Sequence, residues 1–169
     1  MKNLIILIVI VALFALGACT ERVGSRAEAE PSNILSEKEE FSMENVEKEA
    51  IKKVIEKAYI QGIHGNQDEK TVKSGFHQDF KMLVLQDNTV DKVTVDEWLE
   101  KVDKMKADNP KLWEADTMYD FRLIDVAGYA AAAKLDVYKG EVHFSTDYML
   151  LYKFKEGWRI ISKIFAIPD

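Results

Sequence analysis

The chain has 169 residues, with 23 basic and 29 acidic side chains, a formal net charge of −6 and a pI near 5.2. An acidic balance of this kind leaves no electrostatic footprint for nucleic acid or for anionic lipid headgroups. The single cysteine, Cys19, excludes an internal disulfide, a thiolate metal site and a cysteine nucleophile in the folded part. The three histidines, His64, His77 and His143, lack the close helical spacing of a zinc site, so neither a metal nor a cofactor is expected.

In chain order, Met1-Lys2-Asn3 precedes an unbroken apolar run from Leu4 to Leu16 and then Gly17-Ala18-Cys19. One positive charge, a short apolar core and small residues at the end make a secretory signal over residues 1–18. The run falls short of the roughly 20 apolar residues that span a bilayer. Leu16-Gly17-Ala18-Cys19 resembles the lipobox of bacterial lipoproteins. That resemblance implies an acylated Cys19, a membrane partner through the lipid, and a place in the bacterial cell envelope. Thr20 is not the aspartate of an inner-membrane retention signal, which favours the outer membrane. An uncleaved N-terminal anchor helix is the alternative. Residues 19–42, polar and interrupted by Pro31, read as the lipidated cysteine and a mobile tether, and 43–169 as the folded domain.

The domain is expected to open with a helix capped by Ser42, with Phe41 and Val46 at the positions of a hydrophobic staple. Ala50, Ile51, Val54, Ile55, Ala58, Tyr59 and Ile63 follow at helical spacing, and Gly62 and Gly65 end it. Asp68 caps a short second helix reaching Gly75. Phe80 to Leu85 is a strand closed by the turn Gln86-Asp87-Asn88. Thr94-Val95-Asp96-Glu97 is a capping box that starts a third helix, stopped by Asp108-Asn109-Pro110.

From there the spacing predicts strands: Ala115–Ala127, Tyr129–Tyr138, Val142–Phe154 and Trp158–Ile167. Gly128, Lys139-Gly140-Glu141 and Glu156-Gly157 lie between them. Ala130 to Ala133 favours a helix by propensity, but the glycine before it and Leu135, Val137 and Tyr138 after it argue for a strand. Helices followed by a meander make an α+β domain, with three N-terminal helices packed on an antiparallel sheet. Trp98, Trp113 and Trp158 sit at core-compatible positions.

This order of elements resembles the nuclear-transport-factor-2-like superfamily, in its lumazine-binding and SnoaL-like branches, from about residue 44 to the end. Phe76-His77-Gln78-Asp79-Phe80, Asp147-Tyr148-Met149-Leu150-Leu151 and Gly157-Trp158-Arg159-Ile160-Ile161 carry the likeness. It implies a cystatin-like α+β fold in which a strongly curved sheet wraps the helices and leaves a conical cavity. It also implies a small-molecule ligand and a possible homodimer covering the outer sheet face.

Within the resemblance, Lys57-Ala58-Tyr59-Ile60 is similar to the segment of ketosteroid isomerases that supplies the oxyanion tyrosine, and Ser145-Thr146-Asp147-Tyr148 to the one that supplies the neutral acid. The general base would fall near Val84, where the chain reads Met82-Leu83-Val84-Leu85. No carboxylate stands there, so binding without isomerase chemistry is expected and no catalytic residue is assigned.

Tyr59, Asp147, His77 and Tyr119 are the ligand-binding candidates. Asp147 in an apolar cavity is expected to be protonated and to donate a hydrogen bond. Each candidate also has a plainer reading: Tyr59 as core with its hydroxyl satisfied, and Asp147 paired with a strand neighbour such as Lys163. His77, beside Asp79, is either a base oriented by a carboxylate or a helix cap. The expected function is an envelope-anchored lipoprotein whose cone-shaped pocket binds a small, largely apolar molecule. The alternatives are a SnoaL-type lyase or isomerase using a pocket His or Asp, and a protein-interaction domain without ligand.

Overall fold

The computed structural model describes residues 31–65 and 68–168. The expected signal segment, Cys19 and residues 20–30 of the expected tether lie outside the described residues.

Helix α1 spans Pro31–Ile55, so Ser42 lies inside a helix and caps nothing. Val46, expected in the staple, is 64% exposed, and the Phe41 side chain lies outside the described residues. Ser36-Glu37-Lys38-Glu39-Glu40 explains the earlier start. Apart from the serine these are strong helix formers, and Pro31 at the first turn gives up an N–H that has no intrahelical partner anyway. The helix continues into a π-helical segment, Glu56–His64. Gly65 closes it by donating its N–H to the Ile60 carbonyl at 3.0 Å, a bond spanning five residues.

Helix α2 (Glu69–Lys73) is capped by Asp68, whose side chain accepts from the Thr71 N–H at 3.0 Å. Gly62 and Gly75 let α2 and the following strand press against the helical arm. A Cβ on Gly62 would stand 2.9 Å from Val72 Cγ2, and one on Gly75 would stand 2.2 Å from the Cβ of Ala58. Gly62 is therefore a packing residue inside the π segment, and only Gly65 ends it.

The sheet has six strands in the order β2-β1-β6-β5-β4-β3. They are β1 (Phe76–Gln86), β2 (Thr89–Val93), β3 (Thr117–Ala127), β4 (Ala130–Lys139), β5 (Val142–Phe154) and β6 (Gly157–Ala166). β1 starts four residues before the expected Phe80. Asp87 and Asn88 at φ 47° and 63° form the tight turn to β2, an element the sequence reading missed. The other three hairpins use Gly128, Gly140 and Gly157 at φ 59°, 56° and 107°. Ala130 to Ala133 lies in a strand, as its neighbours implied.

Four strand pairs are antiparallel and β1–β6 is parallel. Register shifts between Phe121 and Leu123, Val137 and Tyr138, and Leu150 and Leu151 bend and twist the strands, which lets the sheet curl.

Helix α3 (Val95–Asp108) carries the expected capping box. Thr94 Oγ1 accepts from the Glu97 N–H at 3.2 Å, and Glu97 Oε2 accepts from the Thr94 N–H at 2.8 Å. A second missed element, α4 (Pro110–Glu114), follows at once and turns Trp113 inward.

The core lies between the concave sheet face and the helical arm. Ile51, Ile55, Ala58 and Ile63 meet Leu135, Val137, Met149, Leu151 and Ile160, all of them 1% exposed or less. Burial of this kind is worth about 1.5–3 kcal/mol per large side chain. α1 is also tied to the last hairpin through Glu47. Its carboxylate accepts from Lys153 Nζ at 2.6 Å and from the buried Trp158 indole N–H at 2.7 Å. These bonds hold the Glu47 carboxyl below its usual range.

Candidate ligand cavity

Alternation along β5 points Ser145, Asp147, Met149 and Leu151 inward, so a carboxylate is carried into the interior by strand geometry alone. Asp147 is fully buried. Its partner across the ladder is Phe165 on β6, and the diagonal neighbour on the same face is Lys163. Lys163 Nζ pairs with Asp147 Oδ1 at 2.8 Å. The Tyr59 hydroxyl, from the π segment, donates to Asp147 Oδ2.

The Lys163 ammonium also sits against three aromatic rings, with centroids 4.5 Å (Phe165), 5.2 Å (Trp98) and 5.3 Å (Tyr59) away. Burial pushes the Lys163 amine below its usual range, against the pull of Asp147. Burial, and then the charge of Asp147, push the Tyr59 phenol well above its usual 10.

Tyr59 and Lys163 line a cavity of about 460 Å³, and Asp147, which they hold, is not among its lining residues. The π segment contributes Tyr59, Ile63 and His64. β1 contributes Met82 and Val84, α3 contributes Trp98, Val102 and Met105, and α4 contributes Trp113. Phe144 and Ser145 come from β5, and Lys163 and Phe165 from β6. Lys101, Lys104 and Asp108 are exposed where the cavity meets solvent. The size and the mostly apolar lining, with a few convergent polar groups, are those of a small-molecule site.

Ser145 Oγ in this wall has no hydrogen-bond partner, and neither does His64. His64 is 4% exposed, and neither ring nitrogen has a hydrogen bond. The ring stacks on Trp113 at 5.8 Å and meets Phe144 and Tyr59 edge-on at 5.4 and 4.7 Å. The π segment explains the meeting of Tyr59 with His64, because a ladder bonding five residues apart brings positions i and i+5 into line. Burial, then the charges of Lys139, Lys163 and Lys106, push the His64 imidazole down to about 3. The ring is therefore neutral at ordinary pH and has one donor and one acceptor to offer.

Of the expected site residues, Tyr59 and Asp147 come together and the other two go elsewhere. His77 does not line this cavity. Its ring stacks on Phe154 at 4.7 Å, and Nδ1 accepts from the Asp79 N–H at 3.2 Å, a local contact with no reach to Tyr59. Tyr119 is 38% exposed and donates to Glu56 Oε1 at 3.0 Å, also outside the lining.

Asp147 takes the plainer of its two expected roles: it accepts from Tyr59 and is paired with Lys163. Met82 and Val84 line the wall where the isomerase resemblance puts a base, and both are apolar. His64 is a site residue that the sequence did not nominate, and Lys163 was named there only as the pairing partner of Asp147. The only available signal was the position of His64 five residues after Tyr59.

Among the described residues, no group of three His, Cys, Asp or Glu is placed to hold a metal ion, and no helix is long and apolar enough to cross a membrane.

Comparison with known proteins agrees with this architecture. The chain is similar to a nuclear-transport-factor-2-like protein of unknown function from Shewanella baltica, at 22% identity over 73% of this chain and 94% of the other, with a TM-score of 0.59. A nuclear-transport-factor-2-like protein from Silicibacter pomeroyi matches at 16% identity over 76% and 98%, with a TM-score of 0.56. One with a cystatin-like fold from Novosphingobium aromaticivorans matches at 15% over 83% and 91%, with a TM-score of 0.54. At these identities the likeness is one of fold. No curated protein matches the chain. A family model covers residues 46–166, nearly the whole described domain, and the chain belongs to the family described as "Putative lumazine-binding".

Proposed function

We propose that this protein is an envelope-anchored lipoprotein whose domain holds a small, largely apolar molecule in the Tyr59–His64–Trp98 cavity. The observation that carries the reading is His64: a buried imidazole with both nitrogens unpaired, set in the wall of a cavity of about 460 Å³. An unpaired buried polar group costs roughly 1–3 kcal/mol, and a bound molecule with a polar edge removes that cost. The family description supports the same reading and makes lumazine, a flat bicyclic heterocycle, the first compound to offer.

The test is native mass spectrometry of the protein purified from its own host. The expected result is a stoichiometric small-molecule adduct that leaves on collisional activation and is lost in His64→Phe together with Trp98→Ala. An adduct that persists unchanged in that double variant, or bare protein under the gentlest conditions, overturns the reading.

Anchoring through Cys19 belongs to the same proposal, with the lipid as the membrane partner and the outer membrane as the destination. Each buried methylene of an acyl chain contributes about 0.8 kcal/mol to membrane attachment. Metabolic labelling with a fatty-acid analogue is expected to mark the wild-type chain and not Cys19→Ala; equal label on both overturns the anchor. Two copies meeting through the outer sheet face complete the reading. Tyr148, Leu150, Tyr152 and Ile164 stand there about half exposed.

A further inference from the structure

Two irregularities of the backbone bring polar side chains to the cavity. The first is the π segment, which sets His64 against Tyr59 with ring centroids 4.7 Å apart. The second is a register shift in β5. Ser145 pairs with Val137 and His143 with Tyr138, so Phe144 is an extra residue between them. That bulge breaks the alternation of the strand and lets Phe144 and Ser145 both line the cavity. Both kinds of irregularity gather at functional sites.

His64 is 4% exposed and Ser145 3%. Neither the ring nitrogens of His64 nor Ser145 Oγ has a hydrogen-bond partner among the described residues. Ser145 is near enough to the Tyr59 phenol to oppose its upward shift, yet its hydroxyl makes no hydrogen bond there. An uncharged imidazole offers one donor and one acceptor, and a hydroxyl offers either. The wall therefore presents two buried, unpaired groups that can together meet a donor and an acceptor on one ligand.

Nothing in the same wall asks for a charge. Lys163 is paired with Asp147 at 2.8 Å. Lys101 and Lys104 stand with Asp108 at the mouth, and with Asp91, Glu97, Glu100 and Asp103 in the adjoining groove. An ion entering the cavity would give up its water to meet charges already matched. An uncharged polar edge regains from His64 and Ser145 the bonds it gives up. Trp98, Trp113 and Phe165 offer flat apolar surface, which suits a planar ring better than a branched aliphatic body. We infer that the cavity takes an uncharged planar heterocycle with an N–H beside a carbonyl, its donor–acceptor edge met by His64 and Ser145 and its rings held against these aromatics. The assignment rests on the ligand-binding reading above and adds to it the ligand's lack of charge and the pattern of its polar edge.

Isocarbostyril, a bicyclic lactam, and isocoumarin, the same outline with a ring oxygen in place of the N–H, are a matched pair of uncharged probes. Naphthalene-2-carboxylate is the anionic control. Each is titrated calorimetrically into the full chain in lipid nanodiscs, with empty nanodiscs subtracted. The lactam is expected to bind at least about tenfold more tightly than the lactone, which sets a lone pair where the N–H was and leaves a buried group of the site unpaired. That ratio is expected to fall toward unity in His64→Phe with Ser145→Ala, a variant that removes only unpaired polar atoms from the interior and so keeps its fold. A ratio near unity in the wild type, or one that survives in the double variant, overturns the donor–acceptor edge and leaves the ligand-binding reading standing. Tighter binding of the carboxylate than of the lactam overturns the uncharged class. Binding of none of the three overturns the class altogether, and the ligand-binding reading then stands or falls on the mass-spectrometric adduct.

Discussion

Replacing Lys163 by methionine is expected to destabilise the domain by about 3–5 kcal/mol, which is the usual cost of leaving a buried charge without its partner. Asp147 is fully buried and Lys163 is 4% exposed, at 2.8 Å from each other. Water cannot replace the lost ammonium, and the Tyr59 hydroxyl alone is left to satisfy the carboxylate. Asp147→Ala is expected to cost as much for the mirror reason, since it strands the ammonium among aromatic rings.

Removing the whole network is expected to restore most of the loss. In the triple variant Lys163→Met, Asp147→Leu and Tyr59→Phe no polar atom of the three remains to be desolvated. Urea unfolding with a constant m-value measures all of these. A single replacement that costs less than about 1 kcal/mol, within the range of an exposed pair, shows that the pair is solvated and that this wall of the cavity is open.

The second large effect is a loss of stability in mild acid that depends on His64. Its imidazole lies at about 3 in the folded chain against an ordinary 6.5. Below 6.5 the unfolded chain takes up a proton that the folded chain refuses. Stability therefore falls as pH falls through the window from 6.5 to about 3. Each unit is worth about 1.4 kcal/mol, so roughly 2 kcal/mol is gone by about pH 5 relative to neutral pH.

Glu47 and Asp136 are also held below their ordinary values of 4.5 and 3.8, so their stabilisation is lost only at lower pH. The interval from 6.5 to 5 therefore isolates His64. His64→Phe keeps an aromatic ring between Trp113 and Phe144 and removes both nitrogens. Its stability is expected to stay flat across that interval while the wild type declines. Parallel slopes for the two proteins refute the neutral, buried assignment. At the other end Lys139 is pushed down to about 8, first by burial and then by Lys106. The unfolded chain binds the extra proton there too, so stability is expected to rise between about pH 8 and 10.5.

The parts of the fold legible in the sequence were those with local causes. The capping box at Thr94 and Glu97 places the start of α3 because both bonds of the box lie within four residues. The four-strand meander was readable because Gly128, Gly140 and Gly157 occupy positive-φ positions that other residues resist. β2 escaped notice because its strand is short and, except for Val93, exposed, so it shows no clear alternation. α4 escaped because five residues are too few to show a period. Ser42 misled because a capping residue is only an offer, and the helix formers before it let the helix run on.

The site divides along the same line. Sequence resemblance paired Tyr59 with Asp147 across 88 positions, and Lys163 was the neighbour already named for Asp147 in the plainer reading. What each does was decided by register: a diagonal place on β6 puts an ammonium against the carboxylate and makes it an acceptor. His77 looked functional because it sits beside Asp79, yet adjacency along a strand says nothing about which cavity a side chain reaches.

His64 carried no signal beyond its place five residues after Tyr59, since a lone histidine before a glycine is indistinguishable from a surface one. The sequence by itself determined the fold class, the hairpins and the apolar wall at Met82 and Val84, because propensity, turn chemistry and periodicity act over a few residues. Tertiary structure alone decided that His64 is neutral and unpaired and that lysines from three elements converge beside it, because burial and charge are set by groups more than forty residues apart.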